Sequence, residues 1–174
     1  MQGYFKEPGK TAETLTLDGS LRTGDKGEQD EEGNLRLTGR IKEIFKTSKG
    51  KFVAPAPIEN RMAVDTRLEQ ICVVGEGMVQ PLAICVLSDA GRSAANGEGR
   101  IELESALRAL LEQINGELDK HEQLRGIVLV KDVWAVENGY LTPTLKIKRA
   151  VIESSYGKHF EDWLQRCDAV LWQE

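Results

Sequence analysis

Two apolar runs, Leu68 to Val74 and Leu82 to Leu87, constrain this chain more than any other feature. Both are rich in β-branched residues, and Gly75 and Gly77 lie between them, so they read as a buried strand pair joined by a loop. Gly126 to Val130 is a further buried strand. From Arg100 to Lys120, Leu103, Leu107, Leu110, Leu111, Ile114 and Leu118 recur at spacings of three and four, the stripe of a helix facing a core. Gly116 costs about 1 kcal/mol against alanine and is a candidate break within it. A terminal helix is expected from Ile147 to Leu164. Val53 to Pro57 leads into a short helix from Ile58 to Ala63, with proline tolerated at its start. Ser88 to Gly99 is small and polar and reads as a surface connection, and Trp134 to Tyr140 as irregular. The expected fold is α+β: a sheet of about three strands packed with helices, plus a separate β-hairpin around Lys46 to Val53.

Upstream lies a different texture. Glu7 to Thr14 is helix-competent, Asp18-Gly19 is a turn, and Leu21 to Thr23 is a candidate brief strand. Asp30-Glu31-Glu32-Gly33-Asn34 reads as a hairpin turn in which glycine takes a positive φ. Its carboxylates lack the alternate spacing and closing glutamate of a calcium loop. Leu35 and Leu37 alternate with Arg36 and Thr38, the pattern of a half-buried strand. Thr23-Gly24-Asp25 is by itself a turn. Arg40, Lys42 and Lys46 are spaced to reach separate targets. Lys46, Lys49 and Lys51 around Gly50 compose a solvated basic hairpin, and Lys146, Lys148 and Arg149 a basic loop stiffened by Pro143.

Composition sets the outer bounds. At 174 residues the chain has room for one domain, or one small domain with an appendage. A formal net charge of −5 argues against a general nucleic-acid binder. The cysteines number three, and Cys72 and Cys85 lie inside apolar runs, so they read as buried thiols in a reducing compartment. No run approaches the ~20 apolar residues that span a bilayer. His121 and His159 have no acid or nucleophile at a recognisable spacing and read as structural or surface residues.

Taken together, the block RTGDKGEQDEEGNLRLTGRIKEIFKTSKG at Arg22 to Gly50 and the motif LTPTLKIKR at Leu141 to Arg149 resemble the acyl-adenylate-forming enzymes. These are the acyl-CoA synthetases, luciferases and peptide-synthetase adenylation domains. The resemblance implies that residues 1–41 end a large, β-rich AMP-binding domain and that residues 42–174 form the small C-terminal lid, hinged at Lys42. Asp25 would bind the ribose and Arg40 the nucleotide. Lys146 would be the catalytic lysine between the substrate carboxylate and the α-phosphate. Lys46 would come near the acyl-adenylate after the lid turns, with Lys49, Gly50, Lys51, Lys148 and Arg149 as candidate CoA contacts. No metal ligand is assigned to this chain.

Thr144-Leu145 stands where many relatives have a Ser-Gly pair, and Glu43 where Asp is common. With KTSKGKFVAPAPIE at Lys46 to Glu59, these residues look most like the long-chain fatty acyl-CoA synthetase branch. The implied reaction joins a fatty carboxylate to ATP, with Mg2+, to give acyl-AMP, from which CoA displaces AMP. The implied partners are the enzyme's own N-terminal domain and these substrates, and no nucleic acid. The opening Gly3-Tyr4-Phe5-Lys6 reads as mid-domain sequence, so the chain is expected to be the inactive C-terminal part of a longer enzyme, with Gly3 to Arg40 poorly packed. A carrier protein as acyl acceptor, and a non-catalytic module of the same fold, are the rival readings. The expected location is cytoplasmic, with a peripheral contact at the inner face of a membrane left open for the parent protein.

Overall fold

The computed structural model describes residues 1–97, 99–166 and 168–173, and divides into two compact units, Met1–Glu43 and Ile44–Glu174. In the first, helix α1 (Pro8–Thr14) takes its proline in the first turn, where the missing N–H costs nothing. Leu15 then bridges to Leu21 across the Asp18-Gly19 turn, which takes the place of the expected brief strand. Strands β1 (Asp25–Gln29) and β2 (Leu35–Arg40) pair antiparallel. The turn between them closes on Asp30, whose carboxylate accepts the N–H groups of Glu32 and Asn34 at 3.0 and 2.8 Å.

The alternation at Leu35 and Leu37 does not bury one face of β2. Those side chains are 71% and 67% exposed, because a two-stranded ribbon has no second layer within its own unit. No described residue from Met1 to Glu43 is buried.

The second unit begins with a hairpin, β3 (Phe45–Lys46) and β4 (Phe52–Val53), and helix α2 (Pro55–Met62). Strands β5 (Leu68–Val74) and β6 (Leu82–Leu87) follow the sequence reading residue for residue. Helix α3 (Asp89–Ala94) occupies the stretch expected to be a plain connection. Ser88 starts it by accepting the Gly91 N–H at 3.1 Å, a cap that turns polar residues into a helix start. Helix α4 (Gly99–Glu117) runs through Gly116 unbroken. The penalty of one glycine is outweighed by Leu103, Leu107, Leu111 and Ile114, all buried along one stripe.

Strand β7 (Ile127–Leu129) precedes the long lysine loop. The terminal helix is shorter than expected and divided: α5 (Arg149–Tyr156) and α6 (Phe160–Gln165) are separated by a 3-10 turn at Gly157–His159. Strand β8 (Val170–Trp172) then adds a fourth member to a sheet expected to hold about three. The order is β5-β6-β7-β8, with β5 antiparallel to β6 and the other neighbours parallel.

The pleat sends alternate residues of this sheet into separate cores. On one face Ile71, Val73, Ala83 and Cys85 pack with the β3–β4 hairpin, α2 and α4. On the other, Cys72, Val74, Leu82 and Ile84 pack with Trp134, Leu141, Ile152, Tyr156 and Trp163. Cys72 and Cys85 are therefore buried thiols, one per face, and burial pushes the Cys85 thiol well above its ordinary pKa. Cys167 lies outside the described residues. His159 stacks on Trp163 at 5.4 Å, a structural role.

Candidate functional site

Within the first unit, the ribbon brings Asp25 and Arg40 together. They face each other across β1 and β2, and the Arg40 Nε–H donates to the Asp25 carboxylate at 3.1 Å. Gly24, at φ +77, turns the chain into β1, and its carbonyl accepts the Ile41 N–H at 2.9 Å. The Asp25 side chain is 28% exposed and that of Arg40 56%. An ion pair this open to water is worth about 0–1 kcal/mol, so a ligand carrying hydroxyls or phosphate can displace it at little cost. Lys42 lies exposed in a 3-10 turn, Ile41–Glu43, at the end of the ribbon.

Within the second unit, Lys46 is exposed, with its ammonium 5.7 Å over the ring of Phe52 opposite. The tip of its hairpin is tied by Thr47, whose N–H donates to the Lys51 carbonyl while the Lys51 N–H returns to the Thr47 hydroxyl. Gly50 takes φ +77, which makes this tight turn possible, and Lys49 and Lys51 are exposed beside it. The hairpin is fixed to the β5–β6 turn: the Lys46 carbonyl accepts the Gly77 N–H and the Ser48 N–H donates to the Met78 carbonyl, both at 2.9 Å. Gly75 allows this docking, since a Cβ there would lie 2.6 Å from the Phe45 ring.

Lys146 sits in a turn closed on Thr142. The Thr142 hydroxyl accepts the Lys146 N–H at 3.0 Å, and the Thr142 carbonyl accepts the Leu145 N–H at 2.8 Å. Leu141 bridges to Ile147, and the Lys148 N–H reaches the Tyr140 carbonyl. Leu145 pays for this turn with φ +59, a left-handed conformation unusual for leucine, and its side chain is 70% exposed. Lys146 and Lys148 are exposed.

Arg149 is not the open surface cation that its place in a basic loop suggested. Its guanidinium donates to Glu59 at 2.7 Å, to the Val73 carbonyl and to the Cys72 sulfur, and its side chain is only 17% exposed. Glu59 also accepts the Val73 N–H at 2.7 Å, so the pair closes the outer edge of β5. A guanidinium already spending its planar fork on three acceptors is committed to the fold. Sequence reasoning missed Glu59, whose partner lies ninety residues on. It also missed the buried relay in which Trp134 Nε1–H donates to the Tyr156 hydroxyl, which donates to Asp132 at 2.7 Å. The one signal for that relay was the concentration of aromatic residues either side of the lysine motif.

The arrangement of the two lysine loops follows from the cores. The Lys46 hairpin contributes Phe45 and Val53 to one face of the sheet, and the Lys146 loop contributes Leu141 and Ile147 to the other. Both are at the same end, because Lys46 is bonded to the turn after β5 and Arg149 to Val73 near the end of β5. A rigid body thus carries a lysine on either side of one sheet end. Among the described residues no three His, Cys, Asp or Glu side chains cluster as metal ligands, and no helix is long and apolar enough to cross a membrane.

The model of the AMP-binding enzyme C-terminal domain matches residues 42–167. Long-chain-fatty-acid–CoA ligase 1 of Cavia porcellus is 35% identical over 92% of this chain, which spans 25% of that protein. Long-chain-fatty-acid–CoA ligase 5 of Rattus norvegicus is 36% identical over 85% of this chain and 24% of its own length. Among solved structures, the adenylation domain of a carboxylate reductase from Mycobacterium chelonae aligns with TM-score 0.78 and 26% identity over 94% of this chain and 26% of that one. The corresponding domain from Segniliparus rugosus, in complex with AMP and a co-purified carboxylic acid, gives TM-score 0.76 and 29% identity over 94% of this chain and 26% of that one. The chain therefore spans about a quarter of the relatives it matches, and it belongs to the AMP-binding enzyme C-terminal domain family.

Proposed function

We propose that this chain is the C-terminal part of an AMP-forming long-chain fatty acid–CoA ligase, comprising the end of the large domain to residue 41 and the lid from Lys42. The observation that carries the reading is the placement of Lys46 and Lys146 on opposite faces of one sheet end. Two half-reactions need two sets of groups at one place. A lid that turns about Lys42 would present first one face and then the other. With the Lys146 face inward, its ammonium supplies fixed positive charge between the fatty carboxylate and the α-phosphate as acyl-AMP forms and pyrophosphate leaves. Asp25 holds the ribose and Arg40 the nucleotide, each released from the other by the incoming ligand. With the Lys46 face inward, the Lys49–Lys51 tip lies where CoA would approach, and the thiol displaces AMP, while Lys148 stays with Lys146 on the other face. Arg149 is left out of this set, because Glu59 and Val73 hold it. Magnesium finds no cluster of ligands among the described residues of this chain.

The test is made on the full-length enzyme with ATP, palmitate and CoA. Lys146→Ala slows acyl-AMP formation by about 10²–10³-fold, the loss expected for one preorganised donor, and spares conversion of supplied acyl-AMP to acyl-CoA. Equal loss in both steps overturns the role of Lys146. Pyrophosphate release by this chain alone overturns the reading of it as an incomplete enzyme. The likeness to adenylation domains of carboxylic acid reductases, one of them solved with its carrier domain, favours a second reading in which the acceptor is a carrier protein. Acyl transfer to a carrier but not to CoA would select it. The burial of the Cys72 and Cys85 thiols on separate faces of the sheet supports a reducing, cytoplasmic location.

A further inference from the structure

The opposite end of the same sheet carries a second concave region. Strands β6, β7 and β8 run parallel, so their carboxyl ends at Leu87, Leu129 and Trp172 lie together, away from both lysine loops. Clefts outside the carboxyl ends of parallel strands are where α/β sheets receive ligands. Two cavities adjoin there, of about 340 and 500 Å3, and share Lys131 and Trp172. The smaller is largely apolar, lined by Val86, Leu87, Ala95, Leu129 and Val130. The larger runs along β8 and gathers Arg100, Arg108, Lys131 and Arg166 against Glu104 and Asp168. In a chain with a formal charge of −5, that is a local concentration of positive charge.

Trp172 stands between the cavities and is held in place. Its indole N–H donates to Glu104 at 2.6 Å, and Arg100, bonded to the same carboxylate at 3.0 Å, covers the ring at 4.4 Å. Arg166 pairs with Asp162. Arg100 and Arg166 are thus engaged, whereas no carboxylate pairs with Arg108 or Lys131 among the described residues, and both are exposed. The result is an aromatic plate with an apolar recess on one side and two uncommitted cations at its rim.

We propose that this cleft binds a phosphate ester with an apolar or aromatic body: the body against Trp172 and the Val86–Leu129 recess, and the phosphate on Arg108 and Lys131. Guanidinium and ammonium groups together suit a phosphate, the first by its planar fork and the second as a point charge. Because neither Lys46 nor Lys146 lines the cleft, its ligand regulates or tethers the domain and does not react. The proposal does not depend on the reading of the lysine loops. The same chemistry is offered by a dissolved nucleotide and by an anionic lipid headgroup.

Trp134 and Trp163 are 2% and 4% exposed, so a ligand at the half-buried Trp172 changes a tryptophan signal that those two do not share. The experiment titrates this chain with AMP, and separately with phosphatidylcholine vesicles with or without phosphatidic acid, while recording tryptophan emission. The expected result is a saturable change with AMP, or with the phosphatidic acid vesicles alone, which identifies the source of the phosphate. In the R108A/K131A double variant the affinity falls by about tenfold or more, as for loss of two charge-assisted contacts. K120A/K158A, which removes the same charge from exposed positions elsewhere, keeps the wild-type affinity. No change with either probe, or equal affinity in the two double variants, overturns the proposal.

Discussion

The two units of this chain solve the problem of holding a side chain still in different ways. The unit Ile44–Glu174 buries both faces of a four-stranded sheet, and its lysine loops take their geometry from the layers beneath them. The unit Met1–Glu43 buries nothing, and Asp25 and Arg40 meet because a backbone ladder, a carboxylate-capped turn and Gly24 place them. Its large apolar side chains are open: Leu17 fully, Leu35, Leu37 and Ile41 by more than half. Local hydrogen bonds give such a ribbon its register and little of its stability, since a two-stranded ribbon is marginal in water. Solvent-exposed ladders are also the part of a structure that opens at lowest free energy. The difference teaches that Asp25 and Arg40 are positioned by pairing and the two loop lysines by packing.

The largest effect that sharpens this comparison is Leu107→Ala. Leu107 is fully buried under the sheet, and its truncation lowers the unfolding free energy by about 2–5 kcal/mol in urea. Leu37→Ala, in the ribbon, stays within about 0.5 kcal/mol. Comparable losses from the two would mean that the ribbon is as well packed as the sheet, and the contrast would fail. Next in size is Tyr156→Phe. Burial above all, with the nearby Asp132 charge, raises the pKa of the Tyr156 hydroxyl, which stays protonated and donates to Asp132. Its removal also strands the Trp134 N–H, at a cost of about 1–3 kcal/mol. Tyr140 stacks on Tyr156 at 6.2 Å and its carbonyl accepts the Lys148 N–H, so on the proposed reading the same variant in the full-length ligase slows adenylation. A stability loss without a kinetic one would separate the relay from the lysine loop.

Smaller again, and of opposite sign, is Leu145→Gly. The left-handed conformation costs a leucine about 1–2 kcal/mol, and glycine loses about 0.5–1 kcal/mol more backbone entropy on folding. The difference favours glycine by about 0–1.5 kcal/mol, read as a rise in the urea midpoint. A fall would show that the Leu145 side chain makes contacts worth more than its strain. This position also shows what a sequence can and cannot say. The residues around Lys146 were legible as a motif, and the runs that became β5 and β6 were legible from composition and length alone. Strand β8 was not, because three residues ending in tryptophan carry no period. Helix α3 was hidden because its start depends on one serine hydroxyl. Arg149 looked like its neighbours Lys146 and Lys148 until the fold brought Glu59 to it. Local pattern reports local structure, and a pairing across ninety residues has no local pattern.

The smallest effect separates two aspartates that sit in similar turns. Asp30 in the ribbon and Asp65 before β5 both have lowered pKa values, Asp30 first through the Asn34 side chain and Asp65 first through the Arg67 guanidinium. Asp30 is fully open to water, whereas the Asp65 side chain is 7% exposed and accepts the Arg67 Nε–H at 2.8 Å. A carboxyl whose folded pKa is depressed adds stability above its unfolded value, about 3.9, and loses it as pH falls through the folded value. For Asp65 the ionised form therefore stabilises the sheet unit at neutral pH, and the window of loss lies below about pH 4. The partner Arg67 is a third exposed, which limits the contribution to about 0.2–1 kcal/mol. The measurement is the urea midpoint of tryptophan emission from pH 6 to pH 2, which reports only the sheet unit because every tryptophan lies in it. Asp65→Asn lowers the midpoint at pH 6, and its gap to the wild type closes as pH falls. Asp30→Asn leaves the midpoint unchanged throughout, because the ribbon it stabilises is not the cooperative unit being observed. A pH-dependent gap for Asp30→Asn equal to that for Asp65→Asn would mean that the two units unfold as one.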